Sequence, residues 1–183
     1  MFIHIALFRG INVGGNSILP MTELVAILQD LGCREVKTYI QSGNAVFVHP
    51  TSDQAQLARQ ISLEIKSRRG FEPRVLLLTR DELENAIAAN PFPEAEANPA
   101  MLHLGFLSTV PQTPNLPALE KLRTPNEQTR LIDKVFYLYA PDGIGRSKLA
   151  AAEERALGVP LTDRNWNTVV KLAEMARVLS SSK

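Results

Sequence analysis

The order of hydrophobic patterns over residues 1–80 restricts the fold of this chain most strongly. An apolar run over Phe2–Phe8 leads through a glycine-rich segment into apolar residues at helical spacing, which are Met21, Leu24, Val25, Leu28 and Leu31. Alternating residues then predict a β-hairpin whose turn is Gln41–Asn44. A helix with Asp53 at its start and Gly70 at its end precedes a strand over Val75–Leu78. The predicted order is strand, helix, strand, strand, helix, strand, which is the split βαβ pattern of a ferredoxin-like sandwich.

The second half of the sequence has a less regular version of the same pattern. Strands are predicted over Met101–Leu107 and, in two pieces, over Leu131–Ala140, with a short helix over Ala118–Leu122 between them. Helices follow over Ser147–Leu157 and Arg164–Leu179, so a helix stands where the fourth strand of the pattern would be. We therefore predict an α+β fold with two ferredoxin-like (split βαβ) subdomains, the second irregular and ending in helices.

Residues that start and end helices set the predicted boundaries between the subdomains. Thr79 and Glu82 form a capping box that starts a short helix, and the prolines of Asn90–Pro93 end it. The predicted segments are the first subdomain over residues 1–80, a helix and connector over 81–99, and the second subdomain over 100–183.

Composition limits the classes of protein to which the chain can belong. Of 183 residues, 45% are hydrophobic and 21% are charged, which is typical of a globular protein with a core. Cys33 is the only cysteine, so no disulfide can form within the chain, and no His or Cys spacing is typical of zinc. The apolar run Phe2–Phe8 is too short for a signal peptide or a membrane span. We expect a cytoplasmic protein without a metal site or membrane association, and the sequence leaves its cofactor and oligomeric state open.

The first segment suited to ligand binding follows the first predicted strand. Arg9, Asn12, Gly14 and Gly15 lie between this strand and the first helix, where glycines let a backbone approach a ligand closely. An arginine there can bind phosphate or carboxylate through two parallel hydrogen bonds. The alternative is a tight connection in which Arg9 belongs to a structural ion pair.

The tip of the predicted hairpin is a second candidate segment. Its polar residues are Gln41, Ser42 and Asn44. They reach the Arg9 segment only if the strand order places the hairpin beside the first strand.

A third segment, Pro141–Lys148, lies between a strand and a helix. We predict Ser147 as the N-cap of this helix, with Arg146 and Lys148 beside it as possible anion contacts. The alternative is a cap and a turn without a ligand.

The start of the last predicted helix is a fourth candidate, with Thr162 and Asp163 as its caps. Its polar residues are Arg164, Asn165, Asn167 and Lys171. The spacing i, i+3, i+7 of Arg164, Asn167 and Lys171 predicts one stripe near the positive end of the helix dipole. The alternative is a solvated helix face.

These polar segments occur in an order that resembles a known family. The motifs are L-F-R-G-I-N-V-G-G-N, T-Y-I-Q-S-G-N-A-V-F, N-P-F, L-H-L-G-F-L, P-D-G-I-G-R-S-K-L and R-N-W-N-T-V-V-K-L. Over almost its full length, the chain resembles the bacterial family known as domain of unknown function 1697. The resemblance implies an α+β fold with ferredoxin-like subdomains in a small cytoplasmic protein, and it implies no reaction. Because the shared positions are mostly polar residues and glycines in loops, it favours a ligand site over packing alone.

Three functions compete on this evidence. The leading hypothesis is a cleft between the subdomains that binds a small anionic ligand, phosphorylated or nucleotide-like, through backbone N–H groups and the side chains of Arg9, Arg146, Arg164 and Lys171. No general base with a partner is visible, so whether the chain is an enzyme stays open.

The second function is nucleic-acid binding, because ferredoxin-like sheets also bind RNA. Residues 1–80 carry 9 Lys and Arg against 6 Asp and Glu, but the aromatic RNP motif is missing and the net charge of the chain is only +1. The third function is a protein-interaction module, which would leave the polar motifs scattered over the surface.

Overall fold

The computed structural model describes residues 1–15, 17–41 and 43–180 of the chain. The chain divides into two compact units. The first consists of Met1–Glu84 together with the C-terminal residues from Lys171 onwards, and the second is Asn85–Val170. The fold is α+β, as predicted, with one four-stranded antiparallel sheet in each unit.

The first unit contains the predicted order of strands and helices. Its elements are β1 (Phe2–Arg9), α1 (Met21–Asp30), β2 (Arg34–Thr38), β3 (Asn44–His49), α2 (Gln54–Arg69) and β4 (Arg74–Thr79). The strand order is β2-β3-β1-β4, and every neighbouring pair is antiparallel. Since β2 and β3 are neighbours joined by a short turn, the predicted hairpin is confirmed. The hairpin also lies beside β1, which was the condition for its tip to reach the Arg9 segment.

Local capping residues fix the ends of α2 as the sequence indicates. The carboxylate of Asp53 accepts a hydrogen bond from the backbone N–H of Gln56 at 2.9 Å. At the other end, Gly70 has φ of 78°, the left-handed conformation that glycine adopts without strain. Both predicted ends of the helix are confirmed.

The helix-facing side of the first sheet carries the core of this unit. Phe8 and Phe47 from the sheet pack with Leu24 of α1 and with Leu57 and Ile61 of α2, all of them buried. The apolar spacing of α1 and α2 therefore places one face of each helix against the sheet, as amphipathic helices require.

A short helix, α3 (Arg80–Ala88), follows β4. The backbone N–H of Thr79 donates to the Glu82 carboxylate at 2.8 Å, and the N–H of Glu82 donates to the Thr79 hydroxyl oxygen at 3.0 Å. The predicted capping box is confirmed. A 3₁₀ helix over Pro93–Ala97 lies in the segment predicted as a connector.

The second unit repeats the element order and strand order of the first. Its elements are β5 (Leu102–Leu107), α4 (Leu116–Glu120), β6 (Gln128–Ile132), β7 (Val135–Tyr139), α5 (Lys148–Leu157) and β8 (Leu161–Asn165), and α6 (Trp166–Ser180) follows. The sheet has the order β6-β7-β5-β8. Both sheets thus have the strand order of a split βαβ unit.

The start of the last helix was predicted wrongly. Residues 161–165 form β8, which pairs with β5 from Leu107↔Leu161 to His103↔Asn165, so Arg164 lies in a strand. Thr162 and Asp163 are strand residues too, and the cap of α6 is Asn165, whose side-chain oxygen accepts from the N–H of Thr168 at 3.0 Å. Residues 162–165, T-D-R-N, do not alternate between apolar and polar, so the local sequence favoured a helix start. Pairing with β5 makes them a strand instead. The second unit therefore contains the fourth strand that the prediction left out.

Candidate functional site

A pocket of about 280 Å³ lies in the first unit where β1 ends and β4 begins. Its lining residues are Arg9, Gly10, Ser17, Phe71, Glu72, Pro73 and Arg74. They come from the end of β1, from the loop that follows it and from the connection between α2 and β4. The pocket therefore combines Arg9, from the first candidate segment, with residues that lie about sixty positions further along the chain.

Two arginines from neighbouring strands line this pocket. Arg9 and Arg74 are directly opposite in the antiparallel ladder of β1 and β4. Side chains at such positions have Cβ atoms roughly 4.5–5.5 Å apart. The guanidinium groups can therefore both reach one small anion, each with donors arranged for bidentate binding.

The loop between β1 and α1 has an unusual backbone. Positive φ angles occur at Gly10, Asn12, Gly14, Gly15 and Ser17, with values of 82°, 55°, 62°, 77° and 53°. Glycine makes the consecutive left-handed pair at 14 and 15 possible, because an L side chain would be strained at either φ. These two glycines are exposed and do not line the pocket.

The Asn12 side chain holds this loop in place. Its Nδ2 donates to the backbone carbonyls of Leu19 at 2.9 Å and Gln41 at 2.8 Å, and its Oδ1 accepts from the N–H of Leu19 at 2.8 Å. Both amide protons and the amide oxygen are thus committed to backbone groups. Asn12 ties the loop to the hairpin tip, a structural task for a residue predicted to contact ligand.

Arg69, the last residue of α2, fixes the loop at a second point. Its Nε and Nη2 donate to the carbonyl oxygen of Ile18 at 3.1 Å and 2.8 Å, and its Nη1 lies 3.5 Å from the Glu23 carboxylate. Since Ile18 adjoins the pocket residue Ser17, this contact fixes the backbone beside the pocket.

The hairpin tip packs tightly against β1. Gly43 has φ of 88°, and a Cβ built on it would lie 2.5 Å from Cδ1 of Ile11, so glycine is required there. Asn44 is 0% exposed and donates to the carbonyl of Tyr39 at 3.1 Å. Gln41 is exposed and contributes its carbonyl to Asn12. Ser42 lies outside the described residues, and Asn44 is buried inside the hairpin.

The connection between α2 and β4 contributes an acid and apolar groups to the pocket. Glu72 accepts from Lys66 Nζ at 2.7 Å, in an ion pair whose partners are both about half exposed. Phe71 is half-buried and packs against the helix-side core, while Pro73 is buried. The lining of the pocket therefore includes two cations, a hydrogen-bond acceptor and an aromatic ring.

In the second unit, Ser147 has the predicted role. Its hydroxyl oxygen accepts from the N–H of Ala150 at 3.0 Å, so it is the N-cap of α5, and it is buried. Arg146 and Lys148 beside it are exposed. The predicted cap is confirmed, and the proposed anion contacts of these two residues stay predictions.

The residues of the fourth candidate segment do not share a helix face. Arg164 lies in β8, and its Nη1 donates to the carbonyl of Asp163 at 2.7 Å. Burial lowers the pKa of Arg164 to about 10, against the opposing effect of the nearby Asp163 carboxylate. Asn165 caps α6, Asn167 is exposed, and Lys171 pairs with Glu174 at 3.2 Å. The predicted stripe of Arg164, Asn167 and Lys171 is therefore wrong, because Arg164 precedes the helix.

The adjacent acids Glu153 and Glu154 in a predicted helix indicate a solvated face, but Glu153 is buried in the second unit. Glu153 on α5 is 1% exposed, and neither carboxylate oxygen has a hydrogen-bond partner. Burial, with smaller effects from the Asp163 and Glu127 carboxylates, raises the pKa of Glu153 to about 9. The side chain is neutral at pH 7, because an unpaired charge would be costly there.

Cys33 has the properties of a structural thiol. It is buried in the core of the first unit, and burial raises its pKa to about 12. Because the thiolate is the reactive form, a thiol with this pKa is a poor nucleophile at pH 7.

Among residues 1–15, 17–41 and 43–180, no group of three or more His, Cys, Asp or Glu side chains is arranged to hold a metal ion. No helix within these ranges combines the length and the apolar character needed to cross a membrane.

The sequence interpretation missed the residues that complete the pocket, namely Ser17, Phe71, Glu72, Pro73 and Arg74. A usable signal was present for Arg74. In a split βαβ sheet the fourth strand pairs antiparallel with the first, so the start of β4 must lie beside the end of β1. Arg74, immediately before the predicted strand Val75–Leu78, was therefore the residue to place opposite Arg9.

Comparison with known proteins gives a family and a structural relative. The family described as "Protein of unknown function (DUF1697)" matches residues 1–137. The fold is similar to "conserved bacterial protein SP0830 from Streptococcus pneumoniae", with a TM-score of 0.73 and 25% sequence identity over 96% of this chain and 98% of that one. The search of curated proteins finds no match.

Proposed function

Because this chain belongs to the DUF1697 family, whose description carries no activity, we propose from its own residues that it binds a small anionic ligand in the Arg9 pocket. The ligand is a phosphorylated molecule, and its anionic group lies between Arg9 and Arg74. The proposal concerns binding and assigns no reaction.

The cross-strand arginine pair carries this proposal. Arg9 and Arg74 are directly opposite each other in the ladder, so one anion beside them can accept charge-assisted hydrogen bonds from both guanidinium groups. Such bonds are roughly twice as strong as those between neutral groups. Phosphate fits this arrangement because its oxygens can accept from both guanidinium groups at once.

The loop contacts support a pocket that is formed before the ligand arrives. Asn12 fixes the loop through three hydrogen bonds, and Arg69 fixes it through two more at Ile18. A ligand that meets an ordered loop does not have to supply the free energy of ordering it. Asn12 is thereby assigned to positioning the loop.

Burial of the first sheet favours a small ligand over RNA on the sheet face. The side chains that alternate with the helix-side core include Ile5, Leu7 and Val46, and each is 0% exposed. RNA-recognition sheets stack bases on exposed aromatic side chains, which this face lacks. The predicted participation of Arg146, Arg164 and Lys171 in a cleft between the subdomains stays a prediction.

Titration with ribose 5-phosphate, followed by calorimetry or by NMR shifts, tests the proposal. We expect Arg9→Ala and Arg74→Ala each to weaken binding by roughly 1.5–3 kcal/mol, or about 10-fold to 150-fold, for the lost charge-assisted bonds. Arg59→Ala is the matched control, since Arg59 is an exposed arginine on α2 that does not line the pocket.

The control separates a site from general charge attraction. Unchanged affinity in Arg9→Ala and Arg74→Ala would overturn the proposal. An equal loss in Arg59→Ala would also overturn it, because the anion would then respond to net charge alone.

A further inference from the structure

The volume of the Arg9 pocket limits the size of its ligand. At about 280 Å³ it lies just below the range of roughly 300–1,000 Å³ that is typical of small-molecule sites. A dinucleotide is too large for it. One phosphate with one further ring system is the scale of molecule that fits.

The apolar side of the pocket indicates what accompanies the phosphate. Phe71 packs on the core through part of its surface, so its ring is held in place, and it still lines the pocket together with Pro73. A fixed aromatic ring of this kind stacks well on a flat heterocycle, and every nucleobase has such a face. A simple sugar phosphate makes less use of this surface.

Glu72 adds a hydrogen-bond acceptor to a pocket with two cations. Its Oε2 accepts from Lys66 Nζ at 2.7 Å. A carboxylate has about four acceptor sites, so the ion pair positions Glu72 and leaves it able to accept further hydrogen bonds. A second phosphate beside it would be repelled. An amino group on a base would instead donate to it, as the N4 amine of cytosine does to Glu and Asp in DNA recognition.

We propose that the ligand is a nucleoside monophosphate whose base carries an exocyclic amine, with its phosphate at Arg9 and Arg74, its base against Phe71 and Pro73, and its amine donating to Glu72. This inference rests on the proposed function and names the class of ligand for the same pocket. Cytidine monophosphate is the probe of choice, because uridine monophosphate matches it in size and charge but has a carbonyl in place of the amine.

The first experiment measures the contribution of the base. We expect cytidine monophosphate to bind the wild-type protein about fivefold to 150-fold more tightly than ribose 5-phosphate, the range of one base stacked on an aromatic ring. Phe71→Leu should remove most of this difference and leave the affinity for ribose 5-phosphate within about twofold. Phe71→Tyr retains the ring and should retain the difference, which separates stacking from a general effect on folding.

The second experiment measures the contribution of the amine. We expect wild type to prefer cytidine over uridine monophosphate by about 10-fold, and Glu72→Gln to reduce the preference to about twofold. Glu94→Gln, a change at an exposed acid of the second unit, should leave it unaltered.

The outcomes distinguish this inference from the proposal on which it rests. If the protein binds ribose 5-phosphate and cytidine monophosphate equally well, and Arg9→Ala weakens both, the nucleotide assignment is wrong. The proposed anion site is then still supported. A preference for uridine monophosphate, or one that survives Glu72→Gln, would overturn the role of Glu72. Absence of binding by every phosphate probe would overturn both proposals.

Discussion

The two sheets have the same strand order but end differently at one corner. In the second unit, the last residue of β5 lies opposite the first residue of β8, as the pair Leu107↔Leu161, and both leucines belong to the core at 2% and 5% exposure. In the first unit, the helix-side pair Phe8↔Val75 has that place, and the ladder continues for one more pair, Arg9↔Arg74.

This additional pair shows how a shared framework acquires a site. Successive residues of a strand point to opposite faces, so a ladder that extends past its core pair places the next side chains away from the core. In the first unit those side chains are arginines that line a pocket. The second unit ends its ladder at the core pair and has no cationic counterpart at that corner.

The largest expected effect comes from placing an arginine in the core pair of the second unit, one pair before the point where the first unit carries Arg9. Leu107→Arg places a charge in a packed core, and we expect a loss of roughly 4 kcal/mol or more in the free energy of unfolding, among the largest for single substitutions. Urea denaturation followed by circular dichroism measures it. Leu116→Arg, at an exposed leucine of α4, is the control and should change stability by no more than about 0.5 kcal/mol. If Leu107→Arg lowers the free energy of unfolding no more than the control does, packing of the Leu107↔Leu161 pair does not exclude a charge there.

The next effect concerns Glu153, a buried acid of the second unit. The folded-state pKa of Glu153 is about 9, above its ordinary value of 4.5, so between these pH values the unfolded state is ionised and the folded state holds the proton. This group therefore lowers the stability of the wild type by about 1.4 kcal/mol for each pH unit of rise in that window. Glu153→Gln removes this dependence, so its stability relative to wild type should increase steadily from pH 5 to pH 8.

Denaturation curves at several pH values test this difference. Glu94→Gln, at an exposed acid in the same unit, should follow the wild type throughout. If the stability difference between Glu153→Gln and wild type stays flat from pH 5 to pH 8, Glu153 is not held as a neutral acid.

A smaller effect is expected for the residue that holds the glycine-rich loop. Asn12→Ala removes three hydrogen bonds and leaves the N–H and carbonyl of Leu19 without these partners, which should cost about 1–3 kcal/mol of stability. It should also increase amide hydrogen exchange around Ile18. Asn167→Ala, at an exposed asparagine of α6, should cost less than about 0.5 kcal/mol. Similar exchange in both variants would show that other contacts order the loop.

The smallest effect is expected at the additional pair of the first unit. Arg9→Leu gives the first unit an apolar residue at its extended pair, and because this position is exposed we expect a change in stability within about 0.5 kcal/mol. Thermal unfolding without ligand measures it. A cost of about 3–5 kcal/mol would instead identify Arg9 as half of a buried ion pair, the structural alternative to a ligand contact.

Local signals in the sequence were sufficient for most of the elements. Asp53, Gly70 and the Thr79–Glu82 box mark helix ends through contacts within a few residues, and the structure confirms all of them. By contrast, β8 exists because it pairs with β5, more than fifty residues earlier, and T-D-R-N contains no alternation that predicts a strand.

The candidate site shows the same division between local and distant information. The Arg9 loop could be recognised from its glycines, but its partners Phe71 and Arg74 join it only through the register of β1 and β4. The role of Asn12 also depends on distant backbone, because its amide reaches Gln41 in the hairpin. A sequence motif thus identifies a candidate site segment. Only the pairing of strands shows which distant residues lie next to that segment.

The discontinuous first unit has a consequence for the order in which the protein is made. Its residues up to Glu84 leave the ribosome early, whereas the part of α6 from Lys171 onwards, including the buried Leu172 and Ala176, comes after the whole of Asn85–Val170. At roughly 5–20 residues per second, translation of this intervening segment takes about 4–17 s. During that interval the nascent first unit lacks its final helix, and the surface that this helix later covers is available to chaperones.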